Sequence, residues 1–221
     1  MGEICSYGLD TQKFVKDVKM PNVLVIGASR GLGASLVREY AADKRCSVYA
    51  ASRSATASMS TENVRYVPGI DIAKEKAGQD LVSRIKPSGA ILDIVIVTAG
   101  YFGTETFDEP SWQEEVKMYT TSSIGPVFIC HHLVKAGLIA KEGKIILVSS
   151  ESGSITLRHE SEGGGNYGHH ASKSALNMVG KLLSLDLKEK GIAVGIVHVS
   201  LGCDCFIRRQ AYGRAARIHA Y

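Results

Sequence analysis

The chain has 221 residues, of which 45% are hydrophobic and 22% charged, and it carries a formal net charge of +4. That size and balance suit a single globular α/β domain, and so mild and scattered a charge argues against a dedicated nucleic-acid binder. No apolar run reaches the roughly 18 residues needed to span a bilayer, so no membrane partner is expected.

Residues 1–20 form an N-terminal arm that is charged throughout and lacks the apolar stretch of a secretory signal. The five cysteines, Cys5, Cys46, Cys130, Cys203 and Cys205, are odd in number and widely spaced. Free thiols in a reducing, cytoplasmic setting are the expectation. Cys203 and Cys205 lack the two-residue gap and the second pair of a zinc site, so no metal is expected.

After the arm, short apolar runs alternate with segments of helical period. Val23–Ile26 reads as a buried strand and Gly31–Ala42 as the helix after it. Cys46–Ala51 and Val64–Ile70 are the second and third strands, and Ala73–Ile85 is the next helix. Ile91–Thr98 is an Ile- and Val-rich fourth strand without alternation, as expected of one covered on both faces. Trp112–Gly137 reads as a long helix adjusted near Gly125-Pro126, followed by a fifth strand at Lys144–Ser149. His170–Lys190 is the fifth helix and Ile192–Val199 the sixth strand. The repeated β-α order predicts an α/β, Rossmann-type, doubly wound parallel sheet. Only 22 residues follow Val199, so the sheet is expected to stop after its sixth strand, leaving that strand as an edge. The division is an arm at 1–20, one Rossmann-type domain at 21–207 and a basic tail at 208–221, the tail read as a solvated helix face.

The first strand runs directly into Gly27-Ala28-Ser29-Arg30-Gly31-Leu32-Gly33, which opens the first helix. Glycines there let the backbone turn tightly and approach a pyrophosphate seated on the positive helix N-terminus. The second strand ends in Ala51-Ser52-Arg53, with no acidic side chain to hold a free ribose 2′-hydroxyl. Arg53 and Arg30 offer planar donor forks to a 2′-phosphate, which favours NADP(H); the plainer alternative is two solvated arginines.

The Gly-x-x-x-Gly-x-Gly spacing, the Ser149-Ser150-Glu151-Ser152-Gly153 run that closes the fifth strand and the Ala171-Ser172-Lys173 that follows resemble the short-chain dehydrogenase/reductase superfamily. The likeness covers about residues 20 to 206, and the Gly-Gly-Asn-Tyr-Gly run is similar to the C-factor-like carbonyl reductases. It implies that Asp71 and Ile72 hold the adenine and that Thr98-Ala99-Gly100 stands for the family's Asn-Ala-Gly. It also implies a homodimer through the fourth and fifth helices, with Val127, Phe128, Leu133 and Val134 facing Met178, Val179, Leu182 and Leu183.

The resemblance further implies four chemical positions. Ser122 falls where the relay asparagine belongs, Ser150 (or Ser149) is the serine, and Lys173 is the lysine that holds the nicotinamide ribose. His169, one helical turn before Lys173, stands where the family has its acid tyrosine. Tyr167, six residues from Lys173, would face elsewhere if the helix has begun, and would serve only if the glycine-rich loop swings it in. His198 to Asp204 replaces the family's Pro-Gly and threonine. The leading expectation is an NADP(H)-dependent oxidoreductase acting on a small carbonyl or alcohol with an altered site. The alternatives are non-redox catalysis, such as an isomerase or cyclase, on the same scaffold, and a nucleotide-binding protein that does not turn over.

Overall fold

The computed structural model of the chain describes residues 21–54, 62–199 and 218–220. The expected arm at 1–20, the Cys203-x-Cys205 pair and most of the basic tail lie outside them. Seven strands form one sheet: β1 (Asn22–Ile26), β2 (Ser47–Ala51), β3 (Val64–Val67), β4 (Leu92–Val97), β5 (Ile139–Ser149), β6 (Ala193–Val199) and β7 (Ile218–Ala220). Their order is β3-β2-β1-β4-β5-β6-β7, with β1 through β6 parallel and β7 antiparallel to β6.

The parallel strands are Val- and Ile-rich because both faces are covered. Leu24 and Ile26 of β1 join one core cluster with Leu81, Ile129, Leu133 and Leu176, while Val23 and Val25 turn to the other with Val37 and Val48. The side-chain period of two thus splits one strand between two cores. The helices that supply these partners are α1 (Gly31–Ala42), α2 (Ala77–Ile85), α3 (Trp112–Tyr119), α4 (Gly125–Lys135) and α5 (Tyr167–Asp186). The order reverses between β1 and β4, and a crevice opens at such a switch point beyond the strands' carboxyl ends. None of the described helices is long and apolar enough to cross a membrane.

Several expectations are corrected. The sheet does not leave β6 as a bare edge, since Val197 and His198 pair with Ala220 and His219 of β7. The single helix expected over 112–137 is divided by a π segment at Thr120–Ile124, just before the Gly125-Pro126 that marked the adjustment. A side chain at Gly125 could not fit there, because its Cβ would lie 2.2 Å from the Ile72 carbonyl oxygen. The second helix begins at Ala77 rather than Ala73, as the Asp71 carboxylate accepts from the Ala73 amide and ties that stretch into turns. Strand β3 stops at Val67 because Pro68 and Gly69 (φ 78°) bend the chain away. Helix α5 begins at Tyr167 rather than His170, so Tyr167 is already helical.

The apolar face expected to mediate pairing also differs. Leu133 is fully buried, and Val134, Val179 and Leu183 pack against the core. The exposed set is Ile124, Phe128, Met178, Leu182 and Leu185.

Candidate active site

The loop after β1 turns at Gly27 (φ 93°) and Gly31 (φ 54°), conformations that glycine adopts without a Cβ penalty. Gly33 is required for packing, since a Cβ there would come within 2.2 Å of the Gly27 carbonyl oxygen. Thr98 explains the tightness of this corner: its hydroxyl donates to the Ile26 carbonyl at 2.9 Å and tethers the end of β4 to the end of β1. By contrast, a Cβ on Gly31 would meet nothing within 4 Å, so its backbone borders open space. No side chain caps α1 and its first turn holds no acidic residue, which leaves its positive end available to an anion.

These features line a cleft. Its walls include Gly27, Ser29, Arg30, Gly31, Leu32, Gly33, Arg53, Asp71, Ile72, Ala99 and Gly100 of the nucleotide residues expected from the sequence, whereas Lys173, also expected there, lines a neighbouring cavity. Arg30 and Arg53 are both exposed at its edge. Tyr101, Lys117 and Thr121 also line it and were not anticipated. Lys117 was illegible because an exposed helical lysine carries no local signature; only the fold brings it to the cleft.

A second cavity of about 800 Å³ adjoins this one, a size typical of small-molecule sites. Ser149, Ser150, His169 and Lys173 all line it, together with Phe102 and His170. Tyr167 does not: it is 41% exposed and lines a separate depression with Phe107 and Glu109. Ser149 is buried and donates to the Lys173 carbonyl at 3.4 Å, whereas Ser150 accepts from the Ser152 amide at 3.2 Å. Accepting that bond leaves the Ser150 hydroxyl hydrogen to be donated elsewhere.

Lys173 is the hinge between the two cavities. Its ammonium donates to the Val148 carbonyl at 2.9 Å. A Cβ on Gly100, in the nucleotide cleft, would stand 3.7 Å from Lys173 Nζ and 3.9 Å from Ser122 Oγ. Burial pulls the Lys173 ammonium down to about 8. The Ser122 hydroxyl is fully buried and has no hydrogen-bond partner, so it is a polar group still open to one.

His169 stacks edge-on against Phe102, with ring centroids 4.8 Å apart, and its Nδ1 is buried without a partner. Its pKa is pulled down to about 4, first by burial and then by the charge of Lys173. At neutral pH it is therefore a neutral imidazole with one N–H to donate. His170 is held differently. The Asn166 carbonyl can only accept, so Nδ1 donates to it at 2.8 Å and Nε2 accepts from Arg158 at 3.3 Å.

The first turn of α5 is anchored from the loop after β4. Glu105 is buried, and its carboxylate accepts from the Gly168 amide at 2.6 Å. Its carbonyl accepts from the Asn166 amide at 2.9 Å, and its own amide donates to the Asn166 side chain at 3.2 Å. Asn166 adopts the left-handed region (φ 51°), which asparagine tolerates better than most residues.

A doubly wound sheet, a glycine-lined cleft at its switch point and a lysine joining that cleft to a second cavity define a nucleotide-binding protein of dehydrogenase type. The family model for short chain dehydrogenase matches residues 21–202, and the chain belongs to that family. It is 27% identical over 179 residues to the 1-hydroxy-2-glutathionyl-2-methyl-3-butene dehydrogenase of Rhodococcus sp. (strain AD45), covering 81% of this chain and 76% of that protein. It is 30% identical over 181 residues to the cyclic-di-GMP-binding biofilm dispersal mediator protein of Escherichia coli (strain K12), covering 80% and 70%. A short-chain dehydrogenase/reductase of Burkholderia multivorans, solved with bound NADP, superposes with a TM-score of 0.67 at 26% identity, covering 80% of this chain and 77% of that one.

Proposed function

We propose that this chain is an NADP(H)-dependent oxidoreductase acting on a small carbonyl or alcohol, with His169 in place of the usual phenol. One observation carries the reading: Ser150, His169 and Lys173 line a single cavity, and Lys173 Nζ lies beside Gly100 of the nucleotide cleft. The residues of that cleft suit a dinucleotide, because Gly31 leaves open space and the α1 N-terminus awaits an anion. Arg30 and Arg53 would hold the 2′-phosphate, Asp71 and Ile72 the adenine, and Lys173 the nicotinamide ribose. When bound, NADPH supplies the hydride.

The chain's own residues orient the carbonyl and supply the proton. Ser150 donates its hydroxyl hydrogen to the carbonyl oxygen, and the neutral His169 donates its N–H to the same atom. Each stabilises the negative charge that develops there. Lys173, with its ammonium near 8, remains mostly protonated at neutral pH and is the proton source: one ring nitrogen of His169 takes its proton as the other gives up its own to the oxygen, so the imidazole stays neutral and Lys173 is left as the amine. The protein works in a reducing compartment, in keeping with the buried free thiols Cys46 and Cys130. It pairs as a homodimer through the exposed Ile124, Phe128, Met178, Leu182 and Leu185.

A second reading is favoured by the Ser122 hydroxyl, which has no partner, and by an imidazole held far below its usual pKa. In that reading the scaffold binds nucleotide and either does non-redox work or does not turn over. Loss of NADPH absorbance with a panel of small aldehydes and ketones decides between them. Turnover supports the first reading, and nucleotide binding without turnover supports the second.

A further inference from the structure

We propose that Lys117 grips the diphosphate of the bound dinucleotide in the cleft lined by the glycine loop, with the ring of Tyr101 as its platform. The proposal rests on the nucleotide reading above.

The helical run that carries Lys117 crosses the cleft between its two ends. At one end Ser122 borders Gly100, and at the other Gly125 abuts the Ile72 carbonyl. Lys117 and Thr121 lie one turn apart on the same face of that run, and both line the cleft. The glycine loop lines the same cleft, and α1 begins there with no cap from its N-cap residue. A group of two phosphates seated on α1 would therefore share the cleft with the Lys117 ammonium.

The ammonium is held ready rather than neutralised. It sits 3.6 Å from the Tyr101 ring centroid, a cation–π interaction that holds its position without cancelling its charge. The Tyr101 ring is itself fixed, since its hydroxyl donates to the Glu114 carboxylate of α3 at 2.6 Å. Among the described residues, no carboxylate forms an ion pair with Lys117. An exposed cation on a fixed platform, in the cleft where α1 begins, is an anion site waiting for its second partner. The 2′-phosphate has other candidate partners, Arg30 and Arg53, which line the same cleft.

The test is a fluorescence titration of the full chain with NADPH at low ionic strength, alongside Lys117→Met, Lys117→Arg and the control Lys135→Met. Removing one charge-assisted hydrogen bond in Lys117→Met raises the NADPH Kd about tenfold to a hundredfold. Lys117→Arg keeps most of the affinity, and Lys135→Met keeps all of it. A second probe, 2′-AMP, carries the 2′-phosphate but no diphosphate, and it binds Lys117→Met as well as the unaltered chain. Equal NADPH affinity in Lys117→Met overturns the proposal. So does an equal weakening for 2′-AMP, which would show a diffuse field in place of a direct grip. If the unaltered chain binds no NADPH, the nucleotide reading falls and Lys117 falls with it.

Discussion

Acidification should expose the buried imidazole of the site. An unfolded chain takes up a proton on His169 near 6.5, whereas the folded protein resists until about 4. Above 6.5 neither state is protonated there, so the residue adds no pH dependence. Between 6.5 and 4 only the unfolded state gains the proton, and stability must fall as pH falls. The gap of about 2.5 pKa units corresponds to roughly 3.4 kcal/mol at full strength. The ring opens onto a cavity, so solvent screening reduces this to about 1–2 kcal/mol. Lys173 does not confuse the window. Its folded value of about 8 lies below 10.5, and the resulting loss is complete before neutrality is reached. Urea unfolding at stepped pH from 7 to 4, for the unaltered chain and His169→Phe, isolates the effect. The variant keeps an aromatic ring against Phe102 and should lose about 1–2 kcal/mol less over that range. Parallel curves, or an imidazole resonance of His169 that titrates at or above 6.5, would refute the reasoning.

Three further outcomes are expected. NADPH should bind more tightly than NADH, and Arg53→Ala should cost roughly 1.5–3 kcal/mol against NADPH alone by calorimetry; equal affinities in the unaltered chain would sink the NADP(H) assignment. His169→Tyr should create or raise carbonyl reduction if the rest of the site is sound, a positioned acid contributing typically about 100- to 10,000-fold. No activity in that variant while NADPH still binds would end the redox reading. Light scattering should give a dimer that Leu182→Glu dissociates, since this replacement puts a charge on the exposed apolar face; a monomer at every concentration would contradict the pairing.

Strands and glycine loop were legible because their signals are local. A both-face-covered strand such as Leu92–Val97 needs a continuous apolar run, and a tight turn onto a helix needs glycines at 27, 31 and 33. The one-turn spacing of His169 and Lys173 was legible for the same reason, and the structure places both in one cavity. Illegible features depend on distant partners. The π segment at Thr120–Ile124 has no composition of its own, and β5 begins at Ile139 by passing through Glu142 (φ 69°) with a register shift against β4. Neither Arg158, which reaches forward to His170, nor Glu105, which reaches forward to Gly168, announces its role in its neighbours.

The hydrogen bonds of Glu105 bear on motion as well as on position. Three of them join the loop at 105 to the chain at 166–168, about sixty residues later. The Asn166 and Gly168 amides cannot exchange with solvent deuterium until that loop lifts, so two segments far apart in sequence should exchange as one unit. The carboxylate grip is also the point at which that unit is weakest to change. Glu105→Ala would leave the Gly168 amide buried and unmatched, and both segments should then lose their protection together while the strands beneath keep theirs.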